Sequence, residues 1–220
     1  MSERPALARV LPFAIYMAFL VVDDVLGRLG WGADSLRWLY AVKVGAVALA
    51  LLAWRRHYQE LAVPRPGAGA LALAAASGLL VLVLWLNLNA PWMLLSSSKG
   101  FDPRNHGILD WGLVSVRLLG AALVVPVMEE LFWRSFLLRW LQSPQFLSVA
   151  PASVRLVWLA VNSLLFGIEH SQWLAGVVAG LAYGVLYMRS GNIWSPIAAH
   201  AVTNGALGCW IISTGQWTYW

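Results

Sequence analysis

Two adjacent acids and a base interrupt a long apolar run in the segment VMEELFWRSF, residues 127–136. On a helix, Glu130 and Arg134 are i,i+4 neighbours and can pair on one face, whereas Glu129 is rotated by about 100° and can point elsewhere. A spare carboxylate shielded from water beside an ion pair can act as a base near neutral pH. The same pattern fits a structural ion pair with one acid facing a polar cavity. Pro126 also predicts a kink that frees backbone carbonyls.

Two later clusters place histidines in apolar stretches. Phe166 and His170 lie four residues apart in FGIEH, and His200 and Asn204 have the same spacing in HAVTN. Each pair therefore shares one helix face. Both clusters also fit structural roles. His170 could lie at a helix end beside a solvated Glu169, and His200 and Asn204 could make polar contacts between helices.

Taken together, the three clusters supply a carboxylate base, two imidazoles and an amide, without a Ser or Cys next to a base. Glu129 could then activate a water, and His and Asn side chains could stabilise the oxyanion. Two His and a Glu also match zinc ligands, although the H-E-x-x-H spacing is absent, so such ligands would come from three helices. Counting residues from the helix ends places Glu129, His170, His200 and Asn204 at similar depths, which predicts one shared polar cavity.

The elements that must position these residues are membrane helices. The chain has 220 residues, 60% of them hydrophobic and only 11% charged, and it contains 14 Trp. This composition predicts an all-α, polytopic transmembrane bundle, because soluble domains are about one quarter charged. We expect one integral membrane domain over 1–220, with the motif-bearing helices in 112–210. Seven apolar stretches are long enough to span a bilayer, with an eighth if one is divided differently: 6–26, 36–54, 69–91, 112–138, 154–170, 173–189 and 192–213.

The net charge of +5 is spread along the chain and forms no basic face, so no nucleic-acid partner is expected. The predicted partners are the lipid bilayer and a peptide or protein substrate in or at the membrane. The sequence contains no indication of an oligomeric state. A cytoplasmic N-terminus is predicted, because eight basic loop residues, Arg9 and Arg139 among them, then lie inside, against four outside, including Lys99.

Other charged and small residues carry structural expectations. Lys43, inside the second stretch, is expected to pair with Asp23 or Asp24. Arg117 is expected to extend toward the membrane surface. The spacing of Gly176, Gly180 and Gly184 by four residues predicts close helix packing.

The motifs E-E-x-x-x-R, F-x-x-x-H and H-x-x-x-N, in this order between about 112 and 210, resemble those of the CAAX prenyl protease and bacteriocin-processing (CPBP, Abi) family. The resemblance implies an intramembrane endopeptidase. It assigns water activation to Glu129, completion of the site to His170 and His200, and part of the oxyanion hole to Asn204. Glu130 and Arg134 would orient the site, and Phe166 would pack beside His170.

Both glutamic and metalloprotease mechanisms have been argued for that family, and we expect a water-activating Glu without an obligatory metal, with a zinc-dependent protease as the alternative. The compact size resembles a bacterial subgroup associated with exosortase systems, which implies the inner (cytoplasmic) membrane of a bacterium. Two other functions use the same residues differently. One is a non-catalytic immunity or scaffold protein, and the other is a small transporter, for which the sequence shows no inverted repeat.

Overall fold

The computed structural model describes residues 4–96 and 100–220, except the side chains of residues 33 and 34. Seven helices make up most of this part of the chain, which confirms the all-α bundle. The helices are α1 (Arg4–Arg28), α2 (Leu39–Ala53), α3 (Ala68–Asn87), α4 (Trp111–Trp140), α5 (Leu156–Ile168), α6 (Trp173–Ser190) and α7 (Trp194–Thr214).

The seven helices coincide with the seven apolar stretches predicted from the sequence. Three of them, α1, α3 and α4, are long and apolar enough to cross a membrane by length and composition. Helices α2 and α5 are apolar but shorter. The helix count is therefore confirmed, while the number of helices that cross the bilayer stays a prediction.

The connections between helices contain short 3-10 helices and one small hairpin. Strands β1 (Arg104–Asn105) and β2 (Ile108–Leu109) pair antiparallel in the connection between α3 and α4. The hairpin turn is made by His106 and Gly107, which both have positive φ, at 48° and 83°. Lys99, predicted to lie in this connection on the outer side, is outside the described residues.

Helix α4 carries the acid pair and is irregular at two places. Its regular turns are interrupted by π-helical segments at Gly120–Val124 and Leu131–Leu137. The first segment lies immediately before Pro126, whose missing N–H cannot continue the ladder of backbone hydrogen bonds. The interruption agrees with the expected irregularity at this proline, and π segments of this kind are frequent at functional sites.

The glycines of α6 allow α5 to approach closely, as their spacing predicted. A Cβ at Gly180 would lie 2.9 Å from Ser163 Cα, and one at Gly176 would lie 2.9 Å from Gly167 Cα. Such distances leave no room for a larger residue. The close contact brings the Gly180 carbonyl within 3.3 Å of Arg134 Nη2, so the packing of two later helices also supports α4.

A buried ionic group, here called the anchor cluster, ties the end of α4 to α1 and to the connection between α2 and α3. It consists of Arg9, Glu60, Ser135 and Arg139. Arg9 donates from Nε to Glu60 Oε1 at 2.8 Å and from Nη2 to Glu60 Oε2 at 2.6 Å. Ser135 Oγ donates to the same Glu60 carboxylate, and Arg139 Nε donates to the Ser135 carbonyl at 2.7 Å. These bonds join segments that are distant in the sequence.

The anchor cluster corrects the interpretation of two arginines as loop charges. Arg9 and Arg139 are only 1% and 7% exposed, because their guanidinium groups are held by Glu60 and Ser135 inside the bundle. Burial opposes the ionised form of Glu60, but its hydrogen bonds and ion pair with Arg9 and its bond from Ser135 together hold its pKa below the usual value.

Candidate active site

The four residues predicted to be catalytic line one cavity of about 250 Å³ between α4 and the last three helices. They are Glu129, His170, His200 and Asn204, and Phe166 lines the same cavity. Glu130 and Arg134 lie behind this wall and have no exposed side-chain surface. The expected single polar cavity is therefore present, with the acid pair divided between its surface and the protein interior.

The interior part of the site is a chain of charges that holds His200. Arg134 Nε lies 3.1 Å from Glu130 Oε2, and Glu130 Oε1 lies 2.9 Å from His200 Nδ1. Because a carboxylate only accepts, Nδ1 of His200 carries a hydrogen, so in the neutral ring the Nε2 lone pair is free. The ring is further held by Tyr183, which stacks on it with centroids 4.9 Å apart. The orientation of His200 is thus fixed from two sides.

Glu129 is the acid that faces the cavity. Its Oε2 atom is buried and has no hydrogen-bond partner among the described residues, and it lies 3.9 Å from His200 Nε2. The two atoms are too far apart for a direct hydrogen bond, but a molecule that donates about 2.8 Å from each would span the gap. An acceptor pair of this kind can hold and deprotonate a water.

His170 is oriented by its own helix end. Its Nδ1 donates to the Phe166 carbonyl at 2.7 Å, which leaves Nε2 as an acceptor. The rings of Phe166 and His170 lie 4.7 Å apart, in agreement with the expected contact between them, and Trp85 meets His170 edge-on at 5.4 Å. In their neutral forms, His170 and His200 therefore each offer Nε2 as an acceptor, and both residues line the cavity.

Asn204 is held by the irregular part of α4. Its Nδ2 donates to the Ala121 carbonyl at 2.9 Å. In the π segment, Val125 N bonds to the Gly120 carbonyl, so the next bond in the series would need the missing N–H of Pro126. The Ala121 carbonyl therefore lacks this backbone donor and accepts from Asn204 instead. One amide hydrogen of Asn204 remains for a ligand in the cavity.

The structure adds residues that local spacing did not identify. Glu169, expected to be solvated, has a buried Oε2 without a partner in the described chain, because α6 packs closely against the end of α5. Tyr16 from α1 lines the cavity, and Tyr183 donates to Thr203 at 2.7 Å. A polar side chain inside the apolar α1 was the one sequence signal available for Tyr16.

Two cations lie near the cavity, and one of them, Lys43, is placed differently from expectation. Lys43 makes no ion pair with Asp23 or Asp24, because Asp24 pairs with Arg28 at 2.8 Å and the Lys43 Nζ lies 4.0 Å from the centroid of the Tyr16 ring. Arg117 does not extend away from the bundle. Its side chain is stacked on aromatic rings at one end of the cavity.

The residues of the site do not fit a zinc ion. Within residues 4–96 and 100–220, no group of three or more His, Cys, Asp or Glu side chains is arranged to hold a metal. Glu129 Oε2 and His200 Nε2, 3.9 Å apart, supply two ligands where a catalytic zinc needs three. We therefore derive no step through a metal.

Comparison with known proteins agrees with this geometry. The family model of Rce1-like type II CAAX prenyl endopeptidases matches residues 111–206, a range that contains all seven motif residues. A search of curated proteins and a search of solved structures found no match to this chain. The match and the apolar helices support an integral membrane protein. Residues 111–206, with their three motifs around one cavity, are thus similar to the CAAX prenyl protease and bacteriocin-processing family.

Proposed function

We propose that this protein is an intramembrane endopeptidase in which Glu129 activates a water for attack on a peptide bond. The observation that carries the proposal is the buried Glu129 Oε2, which has no partner in the described chain and faces His200 Nε2 across 3.9 Å. Buried acceptors are normally satisfied, so one left open beside a second acceptor suits a donor that arrives with the reaction. Water bound to both atoms would be held for deprotonation.

The reaction would proceed by one proton cycle. Glu129 takes a proton from the water as the water oxygen bonds to the substrate carbonyl carbon, and the carbonyl oxygen becomes negative. The free amide hydrogen of Asn204 donates to this oxyanion. The carbon–nitrogen bond then breaks as Glu129 returns its proton to the leaving amine. The products are a carboxylic acid and an amine, and no co-reactant other than water is consumed.

The remaining motif residues would orient this cycle. Glu130, held by Arg134, keeps His200 Nδ1 protonated and its Nε2 directed at the water. His170 Nε2 is an acceptor for a substrate N–H group. The substrate class is a peptide or protein in or at the membrane, and the setting is a bacterial inner membrane with the N-terminus in the cytoplasm.

The test compares two buried glutamates changed in the same way. Glu129→Gln keeps the side-chain shape and removes the base, so cleavage of a synthetic library of apolar peptides should fall by about 10²–10⁴-fold. Glu60→Gln makes the same change in the anchor cluster and should retain cleavage by the folded protein. Both purified variants are assayed by mass spectrometry after their folding has been checked by thermal unfolding.

Wild-type cleavage that persists in Glu129→Gln would falsify the assignment of the base. Activity that disappears on treatment with a chelator and returns with zinc would favour the metalloprotease alternative. A wild-type protein that binds peptides without cleaving any of them would favour the non-catalytic alternative.

A further inference from the structure

A second cavity adjoins the candidate active site. It has a volume of about 530 Å³ and lies at the ends of α1 and α4, where Asp23, Lys43 and Phe101 are among the residues that line it. Tyr40, Arg117 and Trp220 line both cavities. Arg117 is therefore one of three residues shared by the walls of the two cavities.

Arg117 is held by stacking and not by an acid. Its Cζ lies 4.3 Å from the centroid of Phe101 and 4.7 Å from that of Tyr40. No described residue forms an ion pair with it, and none accepts a hydrogen bond from its side chain. The buried arginines of α1 and α4, by contrast, all contact oxygen atoms, as Arg9 and Arg134 illustrate. Stacking on the faces of a guanidinium leaves the N–H donors in its plane available.

The charges around Arg117 favour an anion. Lys43, which is 8% exposed, adds a second cation without an ion pair in the described chain. Asp24 is neutralised by Arg28, so among the side chains that the structure describes Asp23 is the one unpaired acid lining the second cavity. Arg37, also in this wall, donates to backbone carbonyls of the hairpin. The cations therefore outnumber the unpaired acids in the wall of the second cavity.

We propose that Arg117 binds a carboxylate of the peptide substrate and so helps to select which peptides are cut. A planar guanidinium with free in-plane donors matches a carboxylate in a two-point hydrogen-bonded pair. The carboxylate is either the free C-terminus of the peptide or an acidic side chain. This inference rests on the proposed endopeptidase function, because it places the scissile bond at Glu129.

The distance between the two residues sets the spacing of the carboxylate. Arg117 and Glu129 lie on the same helix and line the same cavity, about 18 Å apart along α4 at about 1.5 Å per residue. An extended peptide covers about 3.3–3.6 Å per residue. The carboxylate is therefore expected about five residues from the scissile bond.

The experiment uses one cleaved peptide from the apolar library, prepared as the free acid and as the C-terminal amide. A third peptide keeps the amide and carries Glu about five residues beyond the scissile bond. The wild-type protein should cleave an acid-bearing peptide with at least about tenfold higher kcat/KM than the amide that lacks Glu. A ratio of this size is expected when one partner of a desolvated charge pair is lost. Arg117→Gln should bring that ratio close to one, and Arg117→Lys should retain part of it.

Arg104→Gln is the matched control, because Arg104 is an exposed arginine at the same end of the bundle and pairs with Asp102. This variant should keep the wild-type ratio. Preference for the free acid alone identifies the C-terminus, and preference for the Glu-containing amide identifies a side chain. Equal cleavage of all three peptides by the wild type, or a ratio that survives Arg117→Gln, overturns the inference.

A binding measurement separates this inference from the proposed function. Fluorescent versions of the three peptides are titrated into Glu129→Gln protein and into the double variant Glu129→Gln/Arg117→Gln. Tighter binding of the acids that disappears in the double variant supports the carboxylate site even if no peptide is cleaved. Binding that depends on the content of anionic lipid, and is equal for peptides with and without a carboxylate, contradicts the inference.

Discussion

The chain buries two ionic clusters on the same helix, and they differ in how completely their polar atoms are paired. In the anchor cluster, both oxygens of Glu60 accept hydrogen bonds from Arg9. Around the candidate active site, Glu129 Oε2 and Arg134 Nη1 have no partner among the described residues. Nine buried side-chain atoms in the described chain have no hydrogen bond, and seven of them belong to α4, α5 and Glu169; two of the seven, Glu130 Oε2 and Arg134 Nε, still face each other as an ion pair. Unpaired buried groups are costly, so their concentration at one cluster indicates which one is reserved for a reaction.

The second cluster, here called the site cluster, consists of Glu129, Glu130, Arg134 and His200. We predict that the anchor cluster matters for stability and the site cluster for catalysis. Glu60→Ala leaves the guanidinium of Arg9 buried without its acid, and removal of one partner from such a pair costs about 3–5 kcal/mol. Thermal unfolding in detergent should show the loss, while kcat of the remaining folded protein should match wild type. A reduced kcat with unchanged stability would reverse the two assignments.

The same glutamate gives the stability a pH dependence. Its pKa in the folded protein is lowered from 4.5, with burial opposing the shift and the bonds from Arg9 and Ser135 producing it. A lowered folded pKa means that its stabilisation is full above pH 4.5 and is lost as the pH falls through the folded value. Acidification should therefore lower the unfolding temperature of wild type more than that of Glu60→Ala.

A histidine of the site cluster should show the opposite pattern. His200→Gln removes the Nε2 acceptor opposite Glu129, and kcat/KM is expected to fall by about 10²–10³-fold, or about 2.7–4 kcal/mol. Its unfolding temperature should change less than that of Glu60→Ala. His106→Asn, in the hairpin turn, is the control and should leave both quantities unchanged. Loss of folding without loss of specific activity would place His200 with the anchor cluster.

Local spacing was sufficient to predict the helices and to predict that the motif residues share a cavity. The stretch predicted at 173–189 became Trp173–Ser190, and that at 36–54 became Leu39–Ala53, because apolar length and flanking loop residues determine both. Glu129 and His200 line one cavity, as predicted from the motifs, since helical spacing fixes the face on which each residue lies.

Contacts between distant segments could not be predicted in this way. Arg9 and Glu60 are 51 residues apart, and nothing in their local sequence indicates that they meet. The π segments of α4 were also missed, although Pro126 predicted an irregularity, because the choice between a kink and a π segment depends on neighbours such as Asn204. The partner of Lys43 was predicted wrongly for the same reason, since the aromatic ring that it contacts comes from another segment.

Ser135 tests whether the two clusters act separately, because it directly follows Arg134 and belongs to the anchor cluster. Its Oγ accepts from Arg9 Nε at 3.0 Å and from Arg139 Nη2 at 3.3 Å, besides donating to Glu60. Ser135→Ala removes these contacts, yet Arg9 and Glu60 stay paired, so a loss of about 1 kcal/mol is expected. Ser135→Thr is the control that keeps the hydroxyl.

Unfolding of the double variant Ser135→Ala/Glu60→Ala completes a cycle. A combined loss smaller than the sum of the single losses shows that both residues belong to one network. If the clusters are independent, kcat of Ser135→Ala stays at the wild-type value. A fall in kcat like that expected for His200→Gln would show that a change in the anchor cluster alters the position of Glu130 through Arg134. The two clusters would then form one unit along the π segment of α4.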